Sequence, residues 1–211
     1  MSRDRDPFER TLDLLRRRLR MGAYGLGQPL HIQKLAGTMA VSSTPVREAL
    51  ARLSGEGLIA RARSGYRTHR YDAAGLGDLY HLDQTYALAT LTGRRGASRA
   101  PWPPAALAAQ TQDESDYVAR TERLLADLGQ ADNHALAAAR QTLWDRLAPF
   151  RALEPLVLPD IGIQALERAA TEDGPARGAA LLVRAYYRAR LRAVPALLGS
   201  ALARKYPENI P

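Results

Sequence analysis

Cysteine is absent from the 211 residues. That excludes a disulfide scaffold, a thiolate zinc site, an iron–sulfur cluster and a cysteine nucleophile. No apolar run approaches the ~18–20 residues needed to span a bilayer. The opening Met-Ser-Arg-Asp-Arg-Asp is too charged for a secretory signal and has no apolar stretch behind it. The expectation is a soluble, cytoplasmic protein with no membrane partner. Gly-x-Ser-x-Gly, P-loop and His-Glu-x-x-His patterns are all missing. The Asp and Glu residues are scattered, so no acid/base pair can be singled out and nothing points to an enzyme. Lysine is scarce: Arg supplies 28 of the 30 basic residues, leaving Lys34 and Lys205.

What is present is an apolar fraction of 46% and a charged fraction of 25%, the balance of a folded chain. The length suits one large domain or two small ones. Charge divides them. Residues 1–71 hold 14 Lys and Arg against 6 Asp and Glu, whereas residues 72–211 balance 16 against 16, so the whole formal +8 lies in the first third. A basic small segment joined to a neutral larger one suggests a polyanion-binding module joined to something else.

Apolar spacing supplies the elements. Phe8, Leu12, Leu15 and Leu19 mark one face of a helix over 8–21, closed by Gly22. Ile32, Leu35, Ala36 and Met39 mark a second over 32–39. After a turn through Ala40–Ser43, Thr44 is expected to cap a third helix with Pro45 in its first position; Val46, Leu50 and Leu53 form its apolar stripe and Gly55 and Gly57 end it. Its other stripe carries Thr44, Arg47, Ala51 and Arg52. Two partly alternating runs, 58–63 and 66–71, flank a Ser64-Gly65 turn and predict a hairpin bearing Arg61, Arg63, Arg67 and Arg70. This order is a winged helix-turn-helix.

Beyond residue 72 the pattern is helical: 74–92 (Leu76, Leu79, Leu82, Tyr86), 113–128, 132–148, 161–171 and 176–204, the last kinked at Pro195. Residues 93–104 read as a break and Pro149–Pro159 as a connector. The expected fold class is mostly α, with a winged helix-turn-helix over 1–72 and an all-α bundle over 73–211. Bundles build ligand sites between their helices.

Within 31–71, Lys34-Leu35-Ala36, Val41-Ser42, Thr44-Pro45-Val46-Arg47-Glu48-Ala49-Leu50, Leu53, Gly57-Leu58-Ile59 and Gly65 resemble the DNA-binding domain of the GntR family of bacterial transcription regulators. The helical region behind it resembles the FadR/FCD branch of that family. Asp132-Asn133-His134-Ala135-Leu136 through Leu147 and Arg151 echoes a stretch in that branch where a helix opens on Asn-x-x-Leu and ends near an Arg. The resemblance implies a homodimer on palindromic double-stranded DNA, a repressor, and a small-metabolite effector, often an organic acid, in the helical domain. The bland alternative is a helical domain that only dimerises.

Arg47 is the candidate to read a guanine edge in the major groove, as the matching Arg does in the family. Thr44 and the helix N-terminus around Ser43 and Pro45 suit a backbone phosphate. Lys34 and Arg52 join them, and the wing adds Arg61, Arg63, Gly65, Tyr66 and Arg67. Many relatives carry Arg where this chain has Ser43, and a polar cap and Glu where it has His31 and Ile32. Ser43 cannot grip guanine bidentately, so the resemblance implies an operator departing from the usual family sequence.

Metal-binding relatives hold a divalent ion with one Asp and three His. Here Asp116 matches the Asp, but Arg120 takes the first His position, and the other two fall near Ile161 and near Tyr186 or Tyr187. Only His81 and His134 follow residue 71. The expectation is no metal and no cofactor. The family's effector Arg is replaced by Asp83, and Ala87 stands where a Glu often follows. Candidates to line an effector pocket are His81, Asp83, Asp116, Arg120, Tyr186, Tyr187 and Arg190, with Asp83 and Arg190 expected to pair if both are buried.

Overall fold

The computed structural model describes residues 6–92, 117–128, 134–158, 162–164, 166–167 and 176–204. The elements are α1 (Pro7–Arg20), β1 (Pro29–Leu30), α2 (Ile32–Met39), α3 (Ser43–Gly55), β2 (Ile59–Ala62), β3 (Gly65–Thr68), α4 (Ala73–Thr92), α5 (Tyr117–Leu128), α6 (His134–Arg151), α7 (Glu154–Val157) and α8 (Ala176–Ala203). The mostly helical class with a small sheet is the one expected. Of the described residues, 6–71 and 199–204 form one compact unit and those between 72 and 198 the other.

In the first unit α1 packs chiefly on α3. Leu12 and Leu15 of α1, Leu35 and Ala36 of α2, and Val46, Ala49, Leu50 and Leu53 of α3 build one core with Leu30, Leu58 and Ile59. The apolar faces read from spacing are the faces that are buried. Asp6 caps α1, its carboxylate accepting from the Phe8 N–H at 3.0 Å, and Pro7 fills the first turn. The helix ends one residue earlier than expected, at Arg20, where the Gly22 N–H reaches the Leu19 carbonyl at 3.0 Å and the Ala23 N–H that of Arg18 at 2.9 Å.

Three local expectations are corrected. Ser42, not Thr44, is the N-cap of α3, so Pro45 sits in the third helical position. The wing turn is Arg63-Ser64, with Gly65 the first residue of β3 opposite Ala62. Gly65 adopts φ +124°, which favours glycine. The sheet also has a third strand: β1 lies outside β3, giving the order β1-β3-β2, with Leu30 opposite Tyr66. Thr68 ties the loop before β1 to β3, donating to the Gly25 carbonyl at 2.5 Å and accepting from the Gln28 N–H at 2.9 Å.

In the second unit α4, α5 and α6 pack on one another, and α6 on α7. The buried stripe of α4 runs through Leu76, Leu79, Tyr80, Asp83, Ala87 and Leu91, whereas Leu82 is 43% exposed. The expected stripe through Leu82 is therefore displaced by one residue, because Asp83 occupies a core position. Helix α6 continues through Pro149 to Arg151, past the expected end at 148. The expected connector contains α7, where Pro155 suits the first turn. Helix α8 runs through Pro195 without interruption. The break at 93–104, the start of the helix expected from 113, and most of that expected over 161–171 lie outside the described residues. Among the described residues no helix is long and apolar enough to cross a membrane.

Candidate nucleic-acid interface and buried polar networks

Helix α3 turns its apolar side inward and presents the other side to solvent. Thr44, Arg47 and Arg52 are exposed; Ser43 and Pro45 are half-buried. On the wing Arg61, Arg63 and Arg67 are exposed, and Gly65 and Tyr66 are half-buried, Tyr66 packing on the core. Lys34 on α2 is exposed as well. Lys34, Arg47, Arg61, Arg63 and Arg67 make no side-chain hydrogen bond or ion pair among the described residues. Of the five arginines of α1, Arg10, Arg16, Arg18 and Arg20 are engaged, whereas Arg17 is exposed and makes no side-chain hydrogen bond or ion pair among the described residues. Arg52 also has a partner. Its Nε donates to Glu56 Oε1 at 2.6 Å, while Glu56 Oε2 accepts from Arg16 Nη2 at 2.5 Å, so one carboxylate ties α1 to the end of α3. Lys34, Arg47 and the wing arginines thus offer unpartnered cations on α2, α3 and the wing, where an extended polyanion can neutralise them.

The pocket candidates of the second unit separate. Asp83, Tyr186, Tyr187 and Arg190 are fully buried. His81 is exposed, as is Arg120, which pairs with Glu167. Asp116 lies outside the described residues. Asp83 does not pair with Arg190, correcting that expectation. Its Oδ2 accepts from Arg151 and from the Tyr187 hydroxyl at 2.6 Å, and its Oδ1 accepts from Trp144 Nε1 at 2.9 Å. Arg140 Nε lies 3.6 Å away, and Arg151 reaches Glu122 at 3.4 Å. Both guanidinium groups lie over the Trp144 ring, at 4.6 Å for Arg140 and 5.7 Å for Arg151. Burial works against the Arg151 charge, but Asp83, then Tyr186 and Glu122, hold its pKa above the ordinary arginine value.

Arg190 belongs to a second network. Its Nε donates to Glu154 Oε2 at 3.0 Å, and Glu154 also accepts from the hydroxyls of Tyr80 and Tyr117, each at 2.9 Å. Arg190 Nη2 donates to the Tyr117 hydroxyl at 2.8 Å. Its guanidinium stacks 3.4 Å from the centre of the Tyr186 ring. Gly162 comes close at φ +101°: a Cβ there would stand 2.7 Å from Arg190 Nη1. Burial first, then the Glu154 charge, push Tyr117 up to about 12. Burial likewise raises Tyr80, Tyr186 and Tyr187, so the folded chain favours their neutral hydroxyls.

Reading the sequence missed Arg140, Trp144, Glu154, Tyr80 and Tyr117 as members of these networks. The signal was two charged residues, Arg140 and Arg151, at helical spacing from Trp144 and Leu147, which charge alone assigns to a solvated face. Several buried donors remain without an acceptor: Nε and Nη2 of Arg140, Nε of Arg151, the Tyr186 hydroxyl and Thr121 Oγ1. Of the positions that the resemblance aligns with metal ligands, Asp116 and Ile161 lie outside the described residues, and the others are Arg120 and Tyr186 or Tyr187. Arg120 brings its own positive charge, and Tyr187 donates to Asp83. Among the described residues no group of three His, Asp or Glu converges.

Residues 7–66 match the profile of the bacterial regulatory proteins, gntR family. No curated protein sequence matches the chain. Among solved structures, the chain resembles Escherichia coli McbR/YncC at 17% identity and a TM-score of 0.61, with 92% of this chain and 99% of that one covered. A GntR transcriptional regulator from Rhodococcus sp. RHA1 is similar at 20% identity and a TM-score of 0.58, over 94% and 99% of the two chains. These likenesses extend the shared fold beyond the matched 60 residues to nearly the whole chain. The comparisons thus show a gntR-family match over residues 7–66, the winged helix-turn-helix, and a fold shared with these two structures over nearly the whole chain.

Proposed function

We propose that the chain is a homodimeric, cytoplasmic repressor of the FadR/FCD-like branch. Residues 1–72 read a palindromic operator in double-stranded DNA, and residues 73–211 dimerise and bind a small-metabolite effector without metal. The observation that carries the DNA reading is the set of unpartnered cations on α2, α3 and the wing. Arg47, exposed on α3 and free of Glu48, reads a guanine edge; Ser43, Thr44 and Pro45 place the helix N-terminus at a phosphate. Lys34, Arg61, Arg63 and Arg67 hold the backbone around it, with Gly65 and Tyr66 shaping the wing. Arg52, engaged by Glu56, contributes less.

The effector reading rests on the buried donors of Arg140, Arg151, Tyr186 and Thr121 that find no acceptor. Buried donors without partners are costly, and a carboxylate supplies the acceptors they lack. An organic acid is therefore the effector class. A second reading, in which the helical domain only dimerises, is favoured by Asp83 and Glu154, which already hold internal partners on both oxygens.

The test is fluorescence anisotropy of the full chain on the DNA upstream of its own gene and on scrambled DNA. The native fragment is expected to bind more tightly, with Arg47→Ala removing that preference at unchanged melting temperature. Equal, weak binding of both DNAs by the unmodified chain overturns sequence-specific recognition. A panel of di- and tricarboxylates in a thermal-shift assay separates the effector readings: a stabilising acid supports the first, and a flat response across the panel the second.

A further inference from the structure

The outward face of α8 carries a feature that neither the DNA-binding surface nor the buried networks use. Arg184, Arg188 and Arg192 recur every four residues and are exposed. With Gln84 of α4 and Leu191 they line an open groove of about 380 Å³, within the volume range of small-molecule sites. None of these three arginines makes an ion pair or side-chain hydrogen bond among the described residues. Helix α8 contains no Asp or Glu from Ala176 to Ala203, so no acidic residue one turn away neutralises the stripe, as i,i+4 pairing ordinarily does. The acids of α4 are Asp78 and Asp83, and Asp83 is committed to the interior.

We propose that this groove binds a small molecule carrying two or more phosphoryl groups. At ~1.5 Å per residue the stripe extends about 12 Å between its first and last arginine. A singly charged ligand reaches part of that length, whereas a chain of phosphoryl groups meets all three guanidinium forks in succession. Each fork can grip a phosphate through two parallel N–H bonds. The Gln84 amide supplies a further donor and acceptor, and Leu191 an apolar patch for the remainder of the ligand. A second copy of the chain is disfavoured as the occupant. A two-fold contact centred on this face sets arginines against arginines, and like charges facing each other across an interface are costly. The same helix turns Tyr187 and Arg190 inward, so the groove is separate from the buried donors and this proposal does not depend on the effector reading.

Isothermal titration of the full chain tests it, with sodium tripolyphosphate and pyrophosphate as probes, orthophosphate as control, and ionic strength held constant. Tripolyphosphate is expected to bind saturably, one per chain, at least ~10-fold more tightly than orthophosphate. R184Q/R188Q/R192Q is expected to lose at least ~10-fold, a difference of about 1.4 kcal/mol, at unchanged melting temperature and helicity. The wing variant R61Q/R63Q is expected to retain the binding. Absence of saturable binding, or equal affinity in the triple variant, overturns the proposal. So does loss in the wing variant alone, which puts the polyanion on the DNA-binding surface. A triple variant that loses affinity for DNA while keeping tripolyphosphate also overturns it, assigning this face to the phosphates of a duplex.

Discussion

Arg151 of α6 and Asp83 of α4 form an ion pair in which neither side chain is exposed to solvent. The pair is 68 residues apart in sequence and joins two helices of the second unit. Removing one partner of such a pair strands the other charge in a low-dielectric interior, at a typical cost of about 3–5 kcal/mol. Asp83→Asn also weakens the acceptor for Tyr187 and leaves Arg140 and Arg151 facing a neutral amide. Urea denaturation of Asp83→Asn is therefore expected to show a loss in that range. The double variant Asp83→Leu/Arg151→Met is expected to recover part of it, because the two most closely paired charges leave together while Arg140 and Glu122 keep theirs. A double variant no better than the single one rules out stranded charge as the cause.

Four tyrosines of the buried networks set a limit at high pH. Tyr117 is raised from 10.0 to about 12, and Tyr80, Tyr186 and Tyr187 are raised as well. The folded chain keeps protons that the unfolded chain has already released. Stability from these groups is therefore fully present below pH 10 and is lost as pH rises toward about 12. Melting temperature measured from pH 8.5 upward is expected to fall steeply above pH 10. Tyr117→Phe, starting from a lower value, is expected to show a shallower fall. An identical slope assigns the alkaline loss to other groups.

The difference between the two units explains what could be read in advance. In the first unit each helix buries a continuous apolar stripe, so Leu12 and Leu15, Leu35 and Ala36, and Val46, Leu50 and Leu53 announce their own inward faces. Strand β1 escaped notice because it is two residues long and pairs with Tyr66 and Arg67, far along the chain. In the second unit the inward faces carry charge. Asp83 interrupts the leucines of α4, and its partners lie 61, 68 and 104 residues away. A pairing with Arg190 was chemically sound but geometrically wrong. Helix α8 brings Tyr187 to Asp83, while Tyr186 and Arg190 turn toward Glu154. Glu154 itself sat in a stretch whose prolines read as a connector. Periodicity can locate such helices, but which buried acid meets which buried base depends on how the helices pack.

Gly162 is the point where backbone and network meet. Its φ of +101° strains any other residue, and a Cβ would press on Arg190 Nη1 at 2.7 Å and on the Tyr186 ring at 3.1 Å. Strain of this kind costs about 1–3 kcal/mol. Gly162→Ala is expected to lose stability in that range in thermal denaturation. Combining it with Arg190→Ala, which removes the obstructing group, is expected to give less than the sum of the two single losses. Strict additivity separates the glycine from the Arg190 network.

The wing and α3 are expected to act differently on DNA. Arg61, Arg63 and Arg67 are exposed and free of internal partners, so their substitution costs the fold little. A cation that meets only phosphate contributes affinity through counterion release, which does not depend on base sequence. Arg63→Ala, at the tip of the hairpin, is expected to weaken native and scrambled DNA alike. It is also expected to reduce the slope of log K against log salt by about 1. Arg47→Ala is expected to cost about 1–3 kcal/mol on the native fragment alone. Anisotropy titrations at several salt concentrations distinguish the two. If Arg63→Ala instead lowers only the native affinity, the wing reads bases and the division of labour between wing and helix is wrong.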